Sequence, residues 1–325
     1  MPQRNFLQYL IVTLKGLAMG VADVVPGVSG GTIAFISGIY EELIETIHKI
    51  DFGFFKVWKK DGFLKAWAHY NLGFLLALFS GVFISIISLA KLITWLLDVY
   101  PIMVWSFFFG LIIASIIYVG KQITNWRLAV YVVIAVATII SYFITIANPV
   151  ANQDSTWFLF FAGFIAIIAM ILPGISGAFI LLLLGAYTTV IGIVTQFGEG
   201  ITKLDSGLFI DALGKLLIFA AGAVVGLKVF SKALNWMFKH HKNLILGVLT
   251  GFMIGALNKI WPWKEVIQYR LSHSGDQVPF IERSVLPQNF DGNPQVLFAI
   301  VFAIIGFLAI FLLEKLAVSK NKGNT

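Results

Sequence analysis

The sequence contains no cysteine, and only 12% of its 325 residues are charged. Without a thiol the chain has no disulfide, no thiolate metal site and no cysteine nucleophile. It also lacks any Gly-x-x-x-x-Gly-Lys-Ser/Thr string, which excludes a nucleotide-driven pump of the P-loop type. His240 and His241 are adjacent, so on a helix they would point about 100° apart, and no carboxylate pair is placed to complete a metal site. We therefore expect neither a metal nor a cofactor.

Hydrophobic residues, in contrast, make up 59% of the chain, and aromatic residues make up 15%. Apolar runs near twenty residues recur from end to end, and a bilayer core about 30 Å thick takes about 20 helical residues to cross. These runs do not alternate with the period of two that barrel strands show. The sequence therefore predicts an all-α, polytopic integral membrane protein with about ten hydrophobic helical elements. They are predicted at 6–22, 28–48, 70–97, 102–119, 128–147, 156–172, 174–197, 209–237, 243–258 and 295–317.

Two copies of one motif organise the chain. They read Pro26-Gly27-Val28-Ser29-Gly30-Gly31 and Pro173-Gly174-Ile175-Ser176-Gly177-Ala178, and each leads into an apolar run. Proline suits the first position of a helix, and the glycines leave backbone N–H groups uncovered. The motif thus predicts a bare helix N-terminus with free donors, which is a ready site for a phosphate or carboxylate.

The motif copies lie 147 residues apart, and a second block of the chain repeats at an offset of 141 residues. The second block matches lysine with lysine and tryptophan with tryptophan, as at Lys91 and Lys232, which chance similarity of greasy segments rarely does. We interpret the chain as a first repeat at 1–150 and a second at 151–325, with an external loop insertion at 261–294. Five elements per repeat is an odd number, so the two repeats are predicted to have inverted topology.

The distribution of charge supports this topology. Segment 49–70 carries five lysines against two aspartates, whereas its repeat counterpart, 199–213, carries one lysine against three acidic residues. The positive-inside rule then places 49–70 and both chain termini on the cytoplasmic face. Within segment 49–70, residues 51–68 interleave aromatic side chains with lysines. This pattern is typical of a stretch at the membrane interface but also fits an ordinary amphipathic linker.

The small residues of the two motifs also allow close helix packing, and packing accounts for many of the glycines in the chain. It does not account for the proline that opens each motif after a short apolar segment, a pattern that predicts a broken or re-entrant helix pair. We therefore predict that the motifs bind substrate. The predicted binding residues are Pro26, Gly27, Ser29, Gly30, Gly31, Thr32, Pro173, Gly174, Ser176, Gly177 and Lys15.

Charges near the motif are few, and a charge within an apolar element is costly unless it faces a cavity or a partner. Lys15 is a candidate counter-charge for the bound anion, and Asp23 and Glu41 are candidates for coupling transport to an ion or proton. Asp23 has no acidic counterpart, because Met170 occupies the equivalent position in the second repeat.

Ser29 and Ser176 lie in Gly-x-Ser-x-Gly-like strings, Gly27–Gly31 and Gly174–Ala178, which also permit a hydrolase interpretation. That motif acts in a strand–turn–helix elbow, and no strand is predicted here. An intramembrane serine protease would need a histidine on a facing helix, whereas the histidines of this chain lie at helix ends or in loops. Two symmetric serines suit a two-fold binding site better than a single nucleophile, so we expect the chain not to be an enzyme.

The motif with its surroundings resembles one known family. The strings Asp23–Thr32, Ile39-Tyr40-Glu41 and Leu172–Gly177 are similar to those of the bacterial polyprenyl-phosphate transporters. The resemblance covers nearly the whole chain, and it implies a translocase that returns undecaprenyl phosphate from the outer to the inner leaflet of the bacterial cytoplasmic membrane. The second copy departs from the first, with Ala178 and Phe179 where the first has Gly31 and Thr32.

These lines of reasoning give one favoured function and two alternatives. In the favoured one, two opposed helix N-termini near the midplane neutralise the phosphate headgroup of a lipid. The alternatives are a carrier of a small soluble anion on the same scaffold and an intramembrane hydrolase. The expected partners are a lipid-linked phosphate and membrane lipids, and no nucleic acid, since a basic surplus in a membrane protein reports topology.

Overall fold

The computed structural model describes residues 4–25, 28–51, 53–148, 155–271 and 277–318. Fourteen α-helices and a two-stranded β-sheet make up the regular structure of these residues. The helices of the first half are α1 (Phe6–Val24), α2 (Gly30–Ile36), α3 (Tyr40–Lys49), α4 (Gly53–Asp61), α5 (Phe63–His69), α6 (Leu72–Val99), α7 (Pro101–Lys121) and α8 (Leu128–Ile146). The second half contains α9 (Thr156–Ile171), α10 (Gly177–Leu183), α11 (Tyr187–Thr202), α12 (Ser206–His240), α13 (Lys242–Ala256), β1 (Lys264–Leu271), β2 (Gln277–Ser284) and α14 (Val296–Val318).

The long helices confirm the prediction of a polytopic α-helical membrane protein. Within the described residues, five helices are long and apolar enough to cross a membrane, namely α1, α6, α7, α8 and α12. Helices α10 and α11 pass the same test as a pair that is bent by 110°. The predicted elements lie close to the observed helices, and the long helix α12 extends beyond its predicted bounds of 209–237 at both ends.

Each element that follows a motif is divided, where the sequence predicted one continuous helix over 28–48 and over 174–197. The breaks fall at Gly38, with φ of +73°, and at Gly185, with φ of +69°. Residues with a side chain rarely adopt such φ values, so a glycine here ends the helix. The hydrogen bonds at the two breaks are equivalent: the N–H of Gly38 donates to the carbonyl of Phe35, and that of Gly185 donates to the carbonyl of Leu182.

The first helix of each half packs along the helix that corresponds to the third predicted hydrophobic element of the same half. Helix α1 lies against α6, and α9 lies against α12. A Cβ at Gly81 of α6 would overlap the carbonyl oxygen of Thr13, and a Cβ at Gly222 of α12 would overlap that of Phe160. These positions correspond under the two sequence offsets, so the same backbone contact occurs in both halves.

The two halves are joined by pairs of long helices. Helix α7 packs along α14, and α13 packs along α8, so that each half contributes one helix to each pair. Small residues bring the backbones together: Gly110 lies against Ala303, and Gly251 lies against Ile134. The short helix α2 lies among these helices, and all of its residues are buried.

The amphipathic helices α4 and α5 occupy the stretch that the sequence identified as interfacial or linker. The insertion at 261–294 contains an antiparallel hairpin of β1 and β2, with Lys264 opposite Ser284 and Glu265 opposite Arg283. The hairpin is fixed by the indole N–H of Trp261, which donates to the carbonyl of Val285 at 2.8 Å. Under the predicted topology α13 begins at the inner face and ends at the outer face, so the hairpin covers the outer end of the helices.

Candidate functional site

The two motif turns meet in the interior of the protein. The backbone N–H of Gly174 donates a hydrogen bond of 3.1 Å to the hydroxyl of Thr32. The hydroxyl of Ser29 lies within donating distance of the carbonyl oxygens of Met170, at 3.2 Å, and Leu172, at 3.3 Å. These carbonyls belong to the end of α9, where backbone acceptors have no helical partner. Side chains of the first motif thus complete the hydrogen bonding of the second turn.

A third hydroxyl serves the same helix end. The phenol of Tyr40, which is fully buried at the start of α3, donates to the carbonyl of Ile171 at 3.1 Å. Its ring packs against Phe238 of α12, with 5.9 Å between the ring centroids. Tyr40 therefore links the first motif's second helix to both the turn and α12. The sequence indicated this residue only within the Ile39-Tyr40-Glu41 string of the family resemblance.

The meeting point lies near the middle of the helix bundle. Gly174 has φ of +88°, and a Cβ there would lie 2.9 Å from the carbonyl oxygen of Phe252. Phe252 is ten residues along α13 from Lys242, which corresponds to about 15 Å at the helical rise of 1.5 Å per residue. That distance is half of a hydrocarbon core about 30 Å thick.

The first motif is closed by its own side chains. The backbone N–H of Gly30 donates to the carboxylate of Asp23 at 2.7 Å, and the N–H of Gly31 donates to the hydroxyl of Ser29 at 3.1 Å. Ser29 and Thr32 are buried. The prediction of a bare N-terminus with free donors is therefore wrong for this copy, because a carboxylate and a hydroxyl from the same segment occupy the donors.

The second motif lacks these caps. Asp23 has no acidic counterpart, and the side chain of Ser176 makes no capping hydrogen bond to α10. Ser176 is only 6% exposed, yet its hydroxyl has no hydrogen-bond partner among the described residues. None of the α10 residues is fully buried, unlike those of α2. The two copies therefore differ: side chains occupy the donors of the first, whereas the serine hydroxyl of the second makes no hydrogen bond within the described residues.

Ser176 faces a small recess between α8, α10 and the end of α13. The recess is lined by Ser141, Ile144, Thr145, Gly174, Ile175, Ser176, Phe179 and Lys259. The amide of Asn258 donates to the hydroxyl of Thr145 at 2.8 Å and so fixes one wall. Under the predicted topology the recess extends from the depth of Gly174 toward the outer face. The hydroxyls of Ser141, Thr145 and Ser176 and the ammonium of Lys259 line it, and hydroxyl and ammonium donors are the groups that hold an anion.

Lys259 was not among the predicted site residues. Its ammonium lies 4.7 Å from the centre of the Phe179 ring and 3.3 Å from a carboxylate oxygen of Glu282 in the hairpin. Neither the motif nor the repeat indicates it, since the offset of 141 pairs it with Tyr118. Lys259 lies in the turn directly after α13, before the insertion, and the packing of this turn against Phe179 brings its charge to the second motif.

The same carboxylate has a second cationic neighbour. Lys264 of β1 lies 3.8 Å from Glu282 and 3.5 Å from the centre of the Trp105 ring. Burial lowers the pKa of Lys264 to about 7, and the charge of Glu282 only partly opposes this effect. Burial disfavours ionisation of Glu282, but Lys264 and Lys259 outweigh it and hold the pKa of Glu282 below its ordinary value. Glu282 is therefore a charged, doubly paired group.

The remaining predicted residues are placed as follows. Pro173 is buried and Gly177 is half-buried at the second turn, whereas Pro26 and Gly27 lie outside the described residues. The ammonium of Lys15 donates to the carbonyl of Ser37, at the break between α2 and α3 rather than at the turn. Glu41 forms an exposed ion pair with Lys242 at 2.7 Å.

Lys228 of α12 contacts the first half directly. Its ammonium donates to the carbonyl oxygens of Ile47, at 3.0 Å, and His48, at 3.2 Å, at the end of α3. Helix α3 thus packs across the half boundary onto α12, and α11 packs on α12 as well. Helices α3 and α11, which are equivalent in the repeat, therefore both pack on α12. The repeat predicts instead that pseudo-symmetry relates their positions.

The serines do not form a nucleophile–base pair in the described part of the chain. The hydroxyl of Ser29 is directed at backbone carbonyls, and no histidine hydrogen-bonds to Ser29 or Ser176 there. A general base within hydrogen-bond reach is the signature of an activated serine. The geometry accordingly gives no support to the hydrolase alternative.

An apolar pocket lies beside the recess at the outer end. It is lined by Phe109, Leu257, Asn258, Trp261, Ser284, Val285 and Leu286. Asn258 belongs to this pocket and also bonds to Thr145 of the recess. A polar recess and an apolar pocket therefore share one wall, which suits a ligand with an anionic head and an apolar chain.

Comparison with known proteins agrees with this chemistry. Residues 19–278 match the family described as undecaprenyl phosphate translocase-like. A polyprenyl-phosphate transporter of Vibrio cholerae is 45% identical over 315 residues, which cover 96% of this chain and 98% of the relative. A polyprenyl-phosphate transporter of Staphylococcus aureus is 34% identical over 266 residues, which cover 77% of this chain and 85% of the relative. No solved structure matches the chain.

Proposed function

Since the chain belongs to the undecaprenyl phosphate translocase-like family, we propose that it moves a polyprenyl phosphate, such as undecaprenyl phosphate, across the bacterial cytoplasmic membrane. The direction we propose is from the outer to the inner leaflet, which recycles the lipid carrier used in cell-envelope synthesis. The protein acts as a transporter and not as an enzyme. The chemical task is to carry an anionic headgroup across an apolar slab while the isoprenoid chain stays in lipid.

The observation that carries this proposal is the hydroxyl of Ser176, which makes no hydrogen bond within the described residues and lines a recess that also contains Lys259. A phosphate monoester bears a charge of about −1.5 to −2 at neutral pH and presents three acceptor oxygens. In the recess it would meet the hydroxyls of Ser176, Thr145 and Ser141 and the ammonium of Lys259. Hydrogen bonds to a charged phosphate are about twice as strong as neutral ones, so this set can replace lost hydration.

The first motif has a different role in this proposal. Ser29 and Thr32 hold the second turn in place through its backbone, as their hydrogen bonds to Leu172 and Gly174 indicate. The predicted substrate-binding residues therefore divide into a group that contacts phosphate, around Ser176 and Gly177, and a group that positions it, around Ser29 and Thr32.

The alternating access of the binding site to the two leaflets follows from the inverted repeat that we infer from the sequence offsets. In the observed state α3 and α11 both pack on α12. The state of opposite access is one in which α11 moves to α6, the repeat counterpart of α12, and α3 releases Lys228. Inverted-repeat transporters change access by such exchanges of conformation between the halves.

The apolar pocket favours a lipid substrate over a small soluble anion. Phe109, Trp261 and Leu286 form a surface that a soluble anion does not use. An isoprene unit next to the phosphate would bury apolar area there at about 25 cal/mol per Å². The adjacent recess measures only about 10 Å³ in the observed state, so it would widen to take the headgroup at the same time.

Purified protein reconstituted in liposomes with labelled undecaprenyl phosphate tests the proposal. The wild type is expected to change the leaflet asymmetry of the lipid phosphate and to leave trapped inorganic phosphate in place. Lys259→Met should abolish most of the transport, and Lys259→Arg should retain part of it. Lys215→Met is the matched control, because Lys215 is exposed and forms an ion pair with Asp211 in its own helix. Equal transport by Lys259→Met and wild type contradicts the assignment of the recess.

A further inference from the structure

We propose that Glu282 of the hairpin is a resident competitor for the substrate phosphate: it holds the Lys259 ammonium until a phosphate monoester displaces it. The inference rests on the proposed function only in taking the recess as the headgroup site. Glu282 thereby becomes a specificity residue, since an anion must outcompete a carboxylate to enter. A monovalent anion has no charge advantage over Glu282, whereas a phosphate monoester does.

The geometry places Lys259 between two alternative anions. Its ammonium pairs with Glu282 at 3.3 Å, and its position 4.7 Å from the Phe179 ring keeps it at the wall of the recess. The side chains of Lys259 and Glu282 are 15% and 22% exposed. A partly buried pair of this kind is screened little by salt, so the carboxylate is an effective competitor at physiological ionic strength.

Lys264 makes the exchange feasible. Removing one partner of a buried ion pair is strongly destabilising when the other charge is left alone. Glu282 is not left alone, because Lys264 lies 3.8 Å from it and is itself only 8% exposed. The Lys264 ammonium has no hydrogen-bond partner in the described part of the chain, so it is available to Glu282 when Lys259 turns to phosphate.

The hairpin does not need to leave the protein for this exchange. The hydroxyl of Ser284 donates to the carbonyl of Asn258 at 3.1 Å, and Trp261 holds Val285. Both contacts fix the hairpin next to Lys259 through groups other than the Lys259 side chain. The exchange is therefore a side-chain movement at the entrance of the recess.

The test measures binding of inorganic phosphate and of geranyl phosphate, a short-chain polyprenyl phosphate, to the full-length protein by calorimetry in detergent. Glu282→Gln is expected to lower the dissociation constant of geranyl phosphate by about fivefold, the equivalent of one partly exposed ion pair. Glu265→Gln is the matched control, since Glu265 pairs with Arg283 on the exposed side of the same hairpin. The affinity of this variant for geranyl phosphate should equal that of the wild type. The gain should vanish when Lys259→Met is added to Glu282→Gln.

Glu282→Asp provides a second variant in case the glutamine variant fails to fold. It keeps a charge beside Lys264 but shortens the reach to Lys259, so it should also tighten binding. Unchanged or weaker binding in both variants overturns the inference. The inference is also overturned if neither the wild type nor Glu282→Gln binds either probe. A protein that shows the predicted affinities but moves no lipid overturns the proposed function and leaves this inference intact. A protein that transports lipid but gains no affinity overturns this inference alone.

Discussion

The hydroxyl of Thr32 accepts a hydrogen bond of 3.1 Å from the backbone N–H of Gly174, and this contact joins two turns 142 residues apart in the chain. Thr32 is fully buried. The bond therefore fixes the second turn from within the first motif. It also explains why the first motif continues into threonine while the second continues into Phe179, which lines the recess instead.

Thr32→Val should destabilise the protein. The substitution keeps the shape of the side chain but leaves the N–H of Gly174 buried without its partner, at a cost of about 1–3 kcal/mol. The measurement is the thermal unfolding midpoint in detergent. Thr195→Val is the control, because the hydroxyl of exposed Thr195 bonds only to the carbonyl of Ile191 in its own helix. A midpoint shift no larger than that of the control would contradict the structural role of Thr32.

The two motif serines should respond differently to alanine. Ser29→Ala removes the cap of Gly31 and the bonds to the end of α9, so it should lower stability by about 1 kcal/mol. Ser176→Ala removes a hydroxyl that has no protein partner in the described residues, so it should leave the unfolding midpoint unchanged and weaken geranyl phosphate binding. Paired melting and binding measurements check both. The reverse pattern would assign phosphate to the first motif.

Much of this architecture follows from the sequence. The apolar runs predicted the helices to within a few residues, since twenty apolar residues with capping signals leave few alternatives. The glycine matches at Gly38 and Gly185 were visible in the repeat, but their positive φ was not, because glycine serves packing and turns alike. The binding of phosphate by the motif residues remains a prediction.

The site was harder to predict because single residues differ between the two copies of the motif. Equivalent motifs suggested equivalent donors, yet Asp23 caps one copy and Met170 stands at the same place in the other. Lys259 was missed because its role depends on the packing of the turn after α13 against Phe179, 80 residues away in the chain. No local pattern reports such a long-range contact, and hydropathy assigned the insertion only to the exterior.

Lys228→Met should loosen α3 from α12. The ammonium donates to the carbonyls of Ile47 and His48, and hydrogen bonds from a charged donor contribute about 1.5–3 kcal/mol each. We expect a lower unfolding midpoint and faster proteolysis after Lys49. Lys232→Met, on the exposed side of the same helix, should change neither quantity. Identical behaviour of the two variants would show that the capping contact does not hold α3.

Stability should depend on pH through Lys264. Its pKa is about 7 in the folded protein and 10.5 in the unfolded chain, so the unfolded state binds more protons between these values. The free energy of unfolding should therefore rise with pH over this window, with a slope of at most about 1.4 kcal/mol per unit. Lys264→Met should flatten the rise, as measured by unfolding midpoints from pH 7 to pH 10. An unchanged slope in the variant would contradict the burial of a titrating Lys264.

The most direct measurement of the central claim uses the absence of native cysteine. In Ser176→Cys, reconstituted in liposomes, a small membrane-impermeant thiol reagent should label the single thiol at the second motif. Undecaprenyl phosphate should protect that thiol, and neutral undecaprenol should not, because protection requires the phosphate in the recess. Failure of the lipid phosphate to protect a reactive thiol, or equal protection by undecaprenol, would contradict the account.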